Sequence, residues 1–142
     1  MKEKSRRKKE SDLTNRIEKL QEKRVKIEAE IEELKNQGEL APDGAWIVRY
    51  RAKGTGGAYW YYKWQSKQAI FITKKGNCSC HKYIGKAGSE AFIKAVEMMQ
   101  RRTKIEALQQ IQHTLDLGLM DLLEESTRMN KNDLKEKGKY TR

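Results

Sequence analysis

The residues of this sequence that come closest to a metal site are Cys78, Cys80 and His81. Structural zinc usually takes four ligands from two separated pairs, often with Cys-x2-Cys spacing, so this set needs completion by the distant His113 or by another subunit. In a strand, Cys78 and Cys80 share one face and His81 points to the other. We therefore expect no metal site, and we interpret the cysteines as small, semi-buried side chains beside a surface histidine.

The sequence gives no pattern for covalent catalysis. A Cys or Ser nucleophile needs a base and an orienting group, and neither cysteine has a carboxylate nearby in the chain. The glycine-rich segment Gly54-Thr55-Gly56-Gly57 lacks the Gly-Lys-Ser/Thr ending of a phosphate loop, and it connects predicted strands rather than opening a helix. We expect a protein that is not an enzyme and needs no cofactor.

The distribution of charge is the main clue to function. The formal net charge is +11, yet no carboxylate lies between Asp43 and Glu90, whereas nine Lys and Arg residues do. A surface selected only for solubility mixes both signs, so a surface of one sign suggests an anionic partner. These nine cations and one tyrosine form the predicted nucleic-acid-binding set: Arg49, Arg51, Lys53, Tyr61, Lys63, Lys67, Lys74, Lys75, Lys82 and Lys86.

Aromatic residues are concentrated in the same stretch. It holds all three tryptophans and five of the six tyrosines. Lys and Arg release counterions from phosphates, while aromatic rings can stack on bases, so a nucleic acid rewards this mixture. The aromatics taken alone are better explained as the core of a small sheet, because strands favour Tyr and Trp. The missing carboxylates are what favour a nucleic-acid partner.

The pattern of apolar residues predicts an α+β fold, with a small three- or four-stranded antiparallel sheet between an N-terminal coiled-coil-like helix and a long C-terminal helix. We expect a basic disordered tail at 1–10, the coiled-coil-like helix at 11–37, a basic sheet-plus-helix module at 45–126 and a basic flexible tail at 127–142. The N-terminal helix carries a heptad-like series that could pair with a second copy or with the C-terminal helix. That series is Leu13, Ile17, Leu20, Ile27, Ile31 and Leu34.

Within the module, alternation predicts strands over 45–53 and 59–65, a returning strand over 68–73 and a further strand over 78–84. Ser89 is the expected N-cap of the C-terminal helix, since it precedes an apolar series at helical spacing. Gly118 is expected to bend or split this helix. Its distal half is expected to pack on the N-terminal helix or on a second subunit.

The run Tyr59-Trp60-Tyr61-Tyr62-Lys63-Trp64, followed by Lys82-Tyr83-Ile84-Gly85-Lys86 and the Ser89-capped helix, resembles the sheet-plus-helix DNA-binding modules of tyrosine-recombinase arm-binding domains and AP2-type domains. In those families a three-stranded sheet lays basic and aromatic side chains into the major groove, and a helix packs behind it. The resemblance covers about residues 45–100. It implies a DNA-facing set of Arg49, Arg51, Tyr61, Lys63 and Lys82, and a helix-facing core of Trp60, Tyr62 and Trp64.

We therefore expect a DNA-binding regulator or mobile-element accessory factor, a homo-oligomer through its helices. Binding to RNA or single strands is the second hypothesis, because exposed aromatic rings can stack on unpaired bases. The third is a coiled-coil adaptor or assembly protein whose basic sheet meets an acidic protein. The sequence lacks a long apolar run and has only two cysteines, so we expect no membrane association and a cytoplasmic location, nucleoid-associated in a bacterium.

Overall fold

A computed structural model describes the backbone of residues 2–140 and the side chains of residues 2–132. It has the α+β architecture that the sequence predicts. The elements in chain order are α1 (Lys2–Asn36), β1 (Ala45–Gly54), β2 (Gly57–Ser66), β3 (Phe71–Ile72), β4 (Cys78–Ser79), β5 (His81–Gly85) and α2 (Glu90–Tyr140). The chain divides into two compact units, a sheet unit of residues 33–106 and a helical unit made of residues 1–32 and 107–142.

The sheet unit contains a three-stranded antiparallel sheet in the order β1-β2-β5. The strands β1 and β2 pair along their whole length, from Ala45 opposite Ser66 to Gly54 opposite Gly57. The shorter β5 pairs only with Tyr62–Gln65 of β2, and the register shifts between Tyr62 and Lys63. The β1–β2 hairpin therefore continues beyond β5 as a two-stranded ribbon.

One side of this sheet packs against the first turns of α2. The buried core comprises Ala41, Ala45, Trp64, Phe71, Ile84 and Ala95, with Ile47, Phe92, Met98 and Met99 packed around it. Ser89 caps α2 as predicted, because its Oγ accepts a hydrogen bond from the backbone N–H of Phe92 at 3.2 Å. Burial of this apolar face stabilises the sheet, since a hairpin alone is marginal in water.

The predicted strands after β2 need correction. The segment 68–73 does not return along β2, because Phe71–Ile72 pairs instead with Cys78–Ser79 in a separate two-stranded sheet. The predicted strand over 78–84 is broken at Cys80, where the chain passes from one sheet to the other. There the carbonyl of Cys80 accepts a hydrogen bond from the backbone N–H of Ser66 at 2.9 Å. The main sheet is consequently three-stranded.

In the helical unit, α1 and the distal part of α2 run antiparallel beside each other. Arg24 lies 3.2 Å from Asp116, and Arg16 forms an ion pair with Glu125. A Cβ placed on Gly118 would lie 3.2 Å from Leu20, so this glycine marks a close approach and does not split α2. The heptad-like series is buried or half-buried. The sequence leaves two partners open for α1, a second copy or the C-terminal helix. In the structure, α1 packs on the C-terminal helix of the same chain.

The predicted tails differ from the structure, which continues the helices into them. Residues 2–10 belong to α1, where Arg6 lies 3.7 Å from Glu10 one turn away. The segment 127–140 belongs to α2, and residues 141–142 lie outside the described residues. Lys, Arg, Glu and Met have good helix propensity. Neither segment contains proline, and the only glycine in them is Gly138. The compact sheet unit of the structure ends at residue 106, whereas the predicted sheet-plus-helix module ends at 126.

Among the described residues, no helix is long and apolar enough to cross a membrane.

Candidate nucleic-acid interface

The side of the three-stranded sheet that faces away from α2 carries a row of tyrosines. Register places Tyr50 directly opposite Tyr61 and Lys63 directly opposite Tyr83. Residues that oppose each other across an antiparallel pair project to the same side, so side chains from all three strands meet here. We call this side the open face. It comprises Trp46, Val48, Tyr50, Tyr59, Tyr61, Lys63, Gln65, His81 and Tyr83.

The tyrosine rings of the open face are closely spaced. The ring centroids of Tyr50 and Tyr61 are 6.0 Å apart, and those of Tyr61 and Tyr83 are 6.1 Å apart. Such spacing is typical of interacting aromatic pairs. Tyr83 is 61% exposed and Tyr59 is 41% exposed, so ring surface is available to a partner. The rings are tilted by 35° and 54° against each other, so the row is an amphipathic surface of inclined rings with hydroxyl groups along it.

Two lysines lie over these rings. The Lys63 ammonium is 4.8 Å from the centroid of Tyr50. The Lys86 ammonium is 5.3 Å from the centroid of Tyr59 and 5.9 Å from that of Tyr61. Cation–π attraction at such distances contributes about 0.5–1 kcal/mol at exposed sites. The tyrosines therefore hold two positive charges above a surface without a carboxylate.

The pKa of Tyr50 on the open face is raised by its surroundings. Desolvation by its partial burial raises its pKa above 10.0, and the neighbouring phenols of Tyr83 and Tyr61 raise it further. Burial disfavours the phenolate, as do other phenolates close by. The shift favours the neutral phenol of Tyr50.

The α2 side of the β1–β2 hairpin carries a second cationic cluster. The guanidinium carbons of Arg49 and Arg51 lie 4.1 Å and 5.2 Å from the ring centroid of Trp60. Trp60 is 46% exposed and is not part of the core, although the resemblance placed it there. The ring centroids of Phe92 in α2 and Tyr62 are 4.8 Å apart. The helix therefore covers the sheet at Tyr62 and leaves Trp60 exposed.

The structure thus separates the predicted DNA-facing residues. Tyr61 and Lys63 lie on the open face, while Arg49 and Arg51 are opposite Tyr62 and Trp60 and lie on the α2 side. Lys82 is opposite Trp64 and also lies on the α2 side. Alternation alone fixes which residues of one strand share a side. Only the register between strands decides which side of β1 joins which side of β2.

The remaining predicted residues lie around these two sides. Lys53 is exposed near the tip of the hairpin, on the side of Arg51. Lys67 follows β2, and Lys74 and Lys75 lie in the exposed turn between β3 and β4. Lys82 borders a cleft of about 190 Å³ between β5 and α2, where Lys94 also pairs with Glu39 at 3.6 Å. That volume is below the range of about 300–1,000 Å³ usual for small-molecule pockets.

The sequence prediction missed several residues of the open face. Tyr50, Tyr59 and Tyr83 were assigned no binding role, although the rings of Tyr50 and Tyr83 lie beside Tyr61 and those of Tyr50 and Tyr59 lie beneath the two lysines. Their alternation within each strand was a usable signal. The pairing of β2 with β5 was not readable, because the intervening β3–β4 hairpin hides which segment returns to the sheet.

Two arginines of α2 hold the segment that leads into β1. The guanidinium of Arg101 donates two hydrogen bonds to the carbonyl of Glu39, at 3.1 and 2.7 Å. Arg102 donates to the carbonyls of Pro42 and Ala45. A Cβ on Gly38 would lie 2.8 Å from the Arg101 guanidinium, so a larger residue there would require this side chain to shift. These contacts position the start of β1 against α2.

The cysteine–histidine set does not form a cluster with further ligands. Cys78 is exposed in β4, and the half-buried Cys80 thiol lies 3.9 Å from the carbonyl oxygen of Lys67. Within the part of the chain whose side chains are described, no group of three or more His, Cys, Asp or Glu residues could hold a metal ion.

Comparison with known proteins gives no match for this chain among protein-family models, curated proteins or solved structures.

Proposed function

We propose that this protein binds nucleic acid, with duplex DNA as its preferred partner, through the open face of its three-stranded sheet. The observation that carries the proposal is the tyrosine row of Tyr50, Tyr61 and Tyr83 with Lys63 and Lys86 above it, in a stretch without a carboxylate between Asp43 and Glu90. Lysines there contact phosphates, and tyrosines offer hydroxyls and ring surface to sugars and bases.

The missing ion pairs support a binding role for these cations. None of the ion pairs found among residues 2–132 involves a Lys or Arg of the acid-free stretch 44–89. A cluster of cations without acidic partners raises the free energy of the folded chain by mutual repulsion, and a polyanion relieves that repulsion. The placement of α2 behind the sheet also agrees with what the resemblance to arm-binding and AP2-type modules implies.

A second candidate function, single-strand or RNA binding, is favoured by the tyrosine row itself. Exposed rings on adjacent strands can each stack on an unpaired base, which contributes about 1–3 kcal/mol per base. This stacking is not available to the bases of an intact duplex. The two functions therefore make opposite predictions for a tyrosine variant.

The test is a fluorescence-anisotropy titration of the full chain with a duplex, each of its single strands and the matching RNA. Affinity for the duplex should fall linearly on a log–log plot against salt, and Lys63→Gln with Lys86→Gln should reduce the slope by about 1.8, or about 0.9 per lost phosphate contact. The matched control, Lys74→Gln with Lys75→Gln, removes the same charge from the β3–β4 turn and should change the slope less.

The tyrosine variant Tyr61→Ala separates the two candidates. If duplex binding is the function, the variant loses less affinity for duplex than the Lys63 and Lys86 double variant does. A loss of about 1–3 kcal/mol on single strands, together with tighter binding of single strands than of duplex, would establish the second candidate instead. Binding of neither form, or an unchanged salt slope in the Lys63 and Lys86 double variant, would refute the proposal and favour an acidic protein partner.

A further inference from the structure

The β1–β2 hairpin extends past the third strand as a ribbon with cations on both sides. Five residue pairs, from Tyr50 opposite Tyr61 to Gly54 opposite Gly57, have no counterpart in β5. At about 3.4 Å per residue, this hairpin ribbon is about 17 Å long. Its open face carries Tyr50, Tyr59 and Tyr61, and its other side carries Arg51, Lys53 and Trp60.

The tip of the hairpin ribbon is unusually small. Residues 54–58 read Gly-Thr-Gly-Gly-Ala, so only Thr55 has a side chain larger than a methyl group. Gly56 has a φ of 92°, in the left-handed region, and a Cβ there would lie 3.3 Å from the Tyr59 hydroxyl. The tight turn keeps the tip narrow, and larger side chains begin at Lys53 in β1 and Tyr59 in β2.

Resting the open face on DNA would leave the α2-side cluster without a partner. Arg49 and Arg51 both stack on Trp60, both are exposed, and neither forms an ion pair among the described residues. Stacking restricts the motion of each guanidinium and leaves its N–H donors available, a suitable geometry for a phosphate. Two guanidiniums fixed on one tryptophan ring form an anion-binding pair on the side opposite the tyrosine row.

We propose that the hairpin ribbon enters the major groove of duplex DNA tip first, so that its two sides face the two phosphate backbones. In this arrangement Arg49 and Arg51 contact one strand, and Lys63 and Lys86 contact the other. The inference rests on the proposed nucleic-acid-binding function and adds to it the side of the hairpin that packs toward α2.

The dimensions of the grooves select the major groove. Stacked sheets pack about 10 Å apart, which sets the thickness of one β-layer with its side chains at about 10 Å. The major groove of B-form DNA is about 12 Å wide and about 8.5 Å deep, whereas the minor groove is about 6 Å wide. The layer fits the major groove only. A depth of about 8.5 Å takes in two or three residues at about 3.4 Å each. The small tip enters, and Arg51 reaches the level of the phosphates.

The test compares two charge-matched double variants of the full chain on one duplex. Arg49→Gln with Arg51→Gln removes the cations of the α2 side, and Lys63→Gln with Lys86→Gln removes those of the open face. Each should reduce the slope of log affinity against log salt by about 1.8. The Lys74→Gln and Lys75→Gln control should keep a slope closer to that of the wild type. Thermal unfolding followed by circular dichroism checks that each variant folds.

Chemical protection gives an independent measurement on the unaltered protein. Arg49 and Arg51 should lose reactivity toward phenylglyoxal when duplex is added, and a minor-groove ligand at saturation should leave binding unchanged. Groove entry would be overturned if the Arg49 and Arg51 double variant kept the affinity and salt slope of the wild type while the Lys63 and Lys86 double variant bound more weakly. The proposed function would then remain intact. Unchanged binding in both variants would refute the proposed function as well. Equal protection of the arginines by single strands would also overturn groove entry.

Discussion

The arginines of the helical unit and the two arginines of β1 in the sheet unit are used in opposite ways. In the helical unit, Arg24 lies 3.2 Å from Asp116 and 3.5 Å from Glu28, and Arg16 contacts Asp12 and Glu125. In the sheet unit, Arg49 and Arg51 lie over Trp60 without a carboxylate. The helical arginines are neutralised locally and contribute to the pairing of α1 with α2. The sheet arginines keep their charge available, which makes net charge a poor guide to function until each cation's neighbours are known.

The two tryptophans Trp60 and Trp64 of β2 show a similar contrast between surface and core within one strand. Replacing the buried one should have the largest effect on the free energy of unfolding. Trp64 is 5% exposed in the core, so Trp64→Ala should lower the free energy of unfolding by about 3–5 kcal/mol. Trp60→Ala, at a site 46% exposed, should cost about 1 kcal/mol or less and weaken DNA binding. Urea denaturation measures both. Equal destabilisation by the two variants would contradict the division into core and surface.

The heptad-like apolar series of α1 gives the next test, since its burial stabilises the helical unit. Ile27 is 2% exposed, and Ile27→Ala should cost about 2–5 kcal/mol by leaving a cavity. Val25, two positions away and 64% exposed, provides the control, and Val25→Ala should be nearly neutral.

Light scattering on the same samples tests the predicted homo-oligomer. A wild-type mass of one chain would contradict that prediction. It would agree with the structure, in which α2 of the same chain covers the apolar series of α1.

Neutralising single arginines should have small and opposite effects in the two units. The Arg24 and Asp116 side chains are 45% and 47% exposed, so Arg24→Gln should lower the free energy of unfolding by about 1 kcal/mol at most and leave DNA binding unchanged. Arg49→Gln should leave stability unchanged and reduce the salt slope of binding by about 0.9. Loss of DNA affinity in the Arg24 variant would break the comparison.

The smallest expected effect concerns Tyr50. Its pKa is raised above 10.0 by burial and by Tyr83 and Tyr61, so folding favours its neutral form. This contribution to stability is complete below pH 10 and is lost as the pH rises through the raised pKa of the folded state. In an ultraviolet titration, Tyr50→Phe should remove an ionisation step above pH 10.0. Loss of a step at or below pH 10.0 in this variant would contradict the raised pKa of Tyr50.

Much of the architecture was readable from local patterns. The apolar series of α1, the alternation in β1 and β2 and the Ser89 cap are each visible within a single segment of the chain, and all appear in the structure. The β3–β4 hairpin was missed because a two-residue strand has no periodicity to detect. The helical ends were missed because charged segments suggest disorder by composition although their residues have good helix propensity.

The candidate site was only half readable for a related reason. Absence of carboxylates and excess of Lys and Arg are properties of the sequence, and they identified the correct stretch for a cationic surface. Which side each cation joins depends on the register of β1 with β2 and on where α2 stops covering the sheet. Those are long-range facts, so Arg49 and Arg51 were grouped with Tyr61 and Lys63 although they project to opposite sides.

The most direct test of the central claim is a comparison of salt slopes for two triple variants that remove the same charge. One carries Gln at Arg49, Arg51 and Lys63 in the sheet unit, and the other carries Gln at Arg16, Lys19 and Arg24 in the helical unit. With duplex DNA between about 50 and 200 mM salt, the sheet triple should lose about 2.7 of slope while the helical triple keeps the wild-type value. Equal losses in both triples, or none in the folded sheet triple, would contradict the assignment of DNA binding to the acid-free sheet.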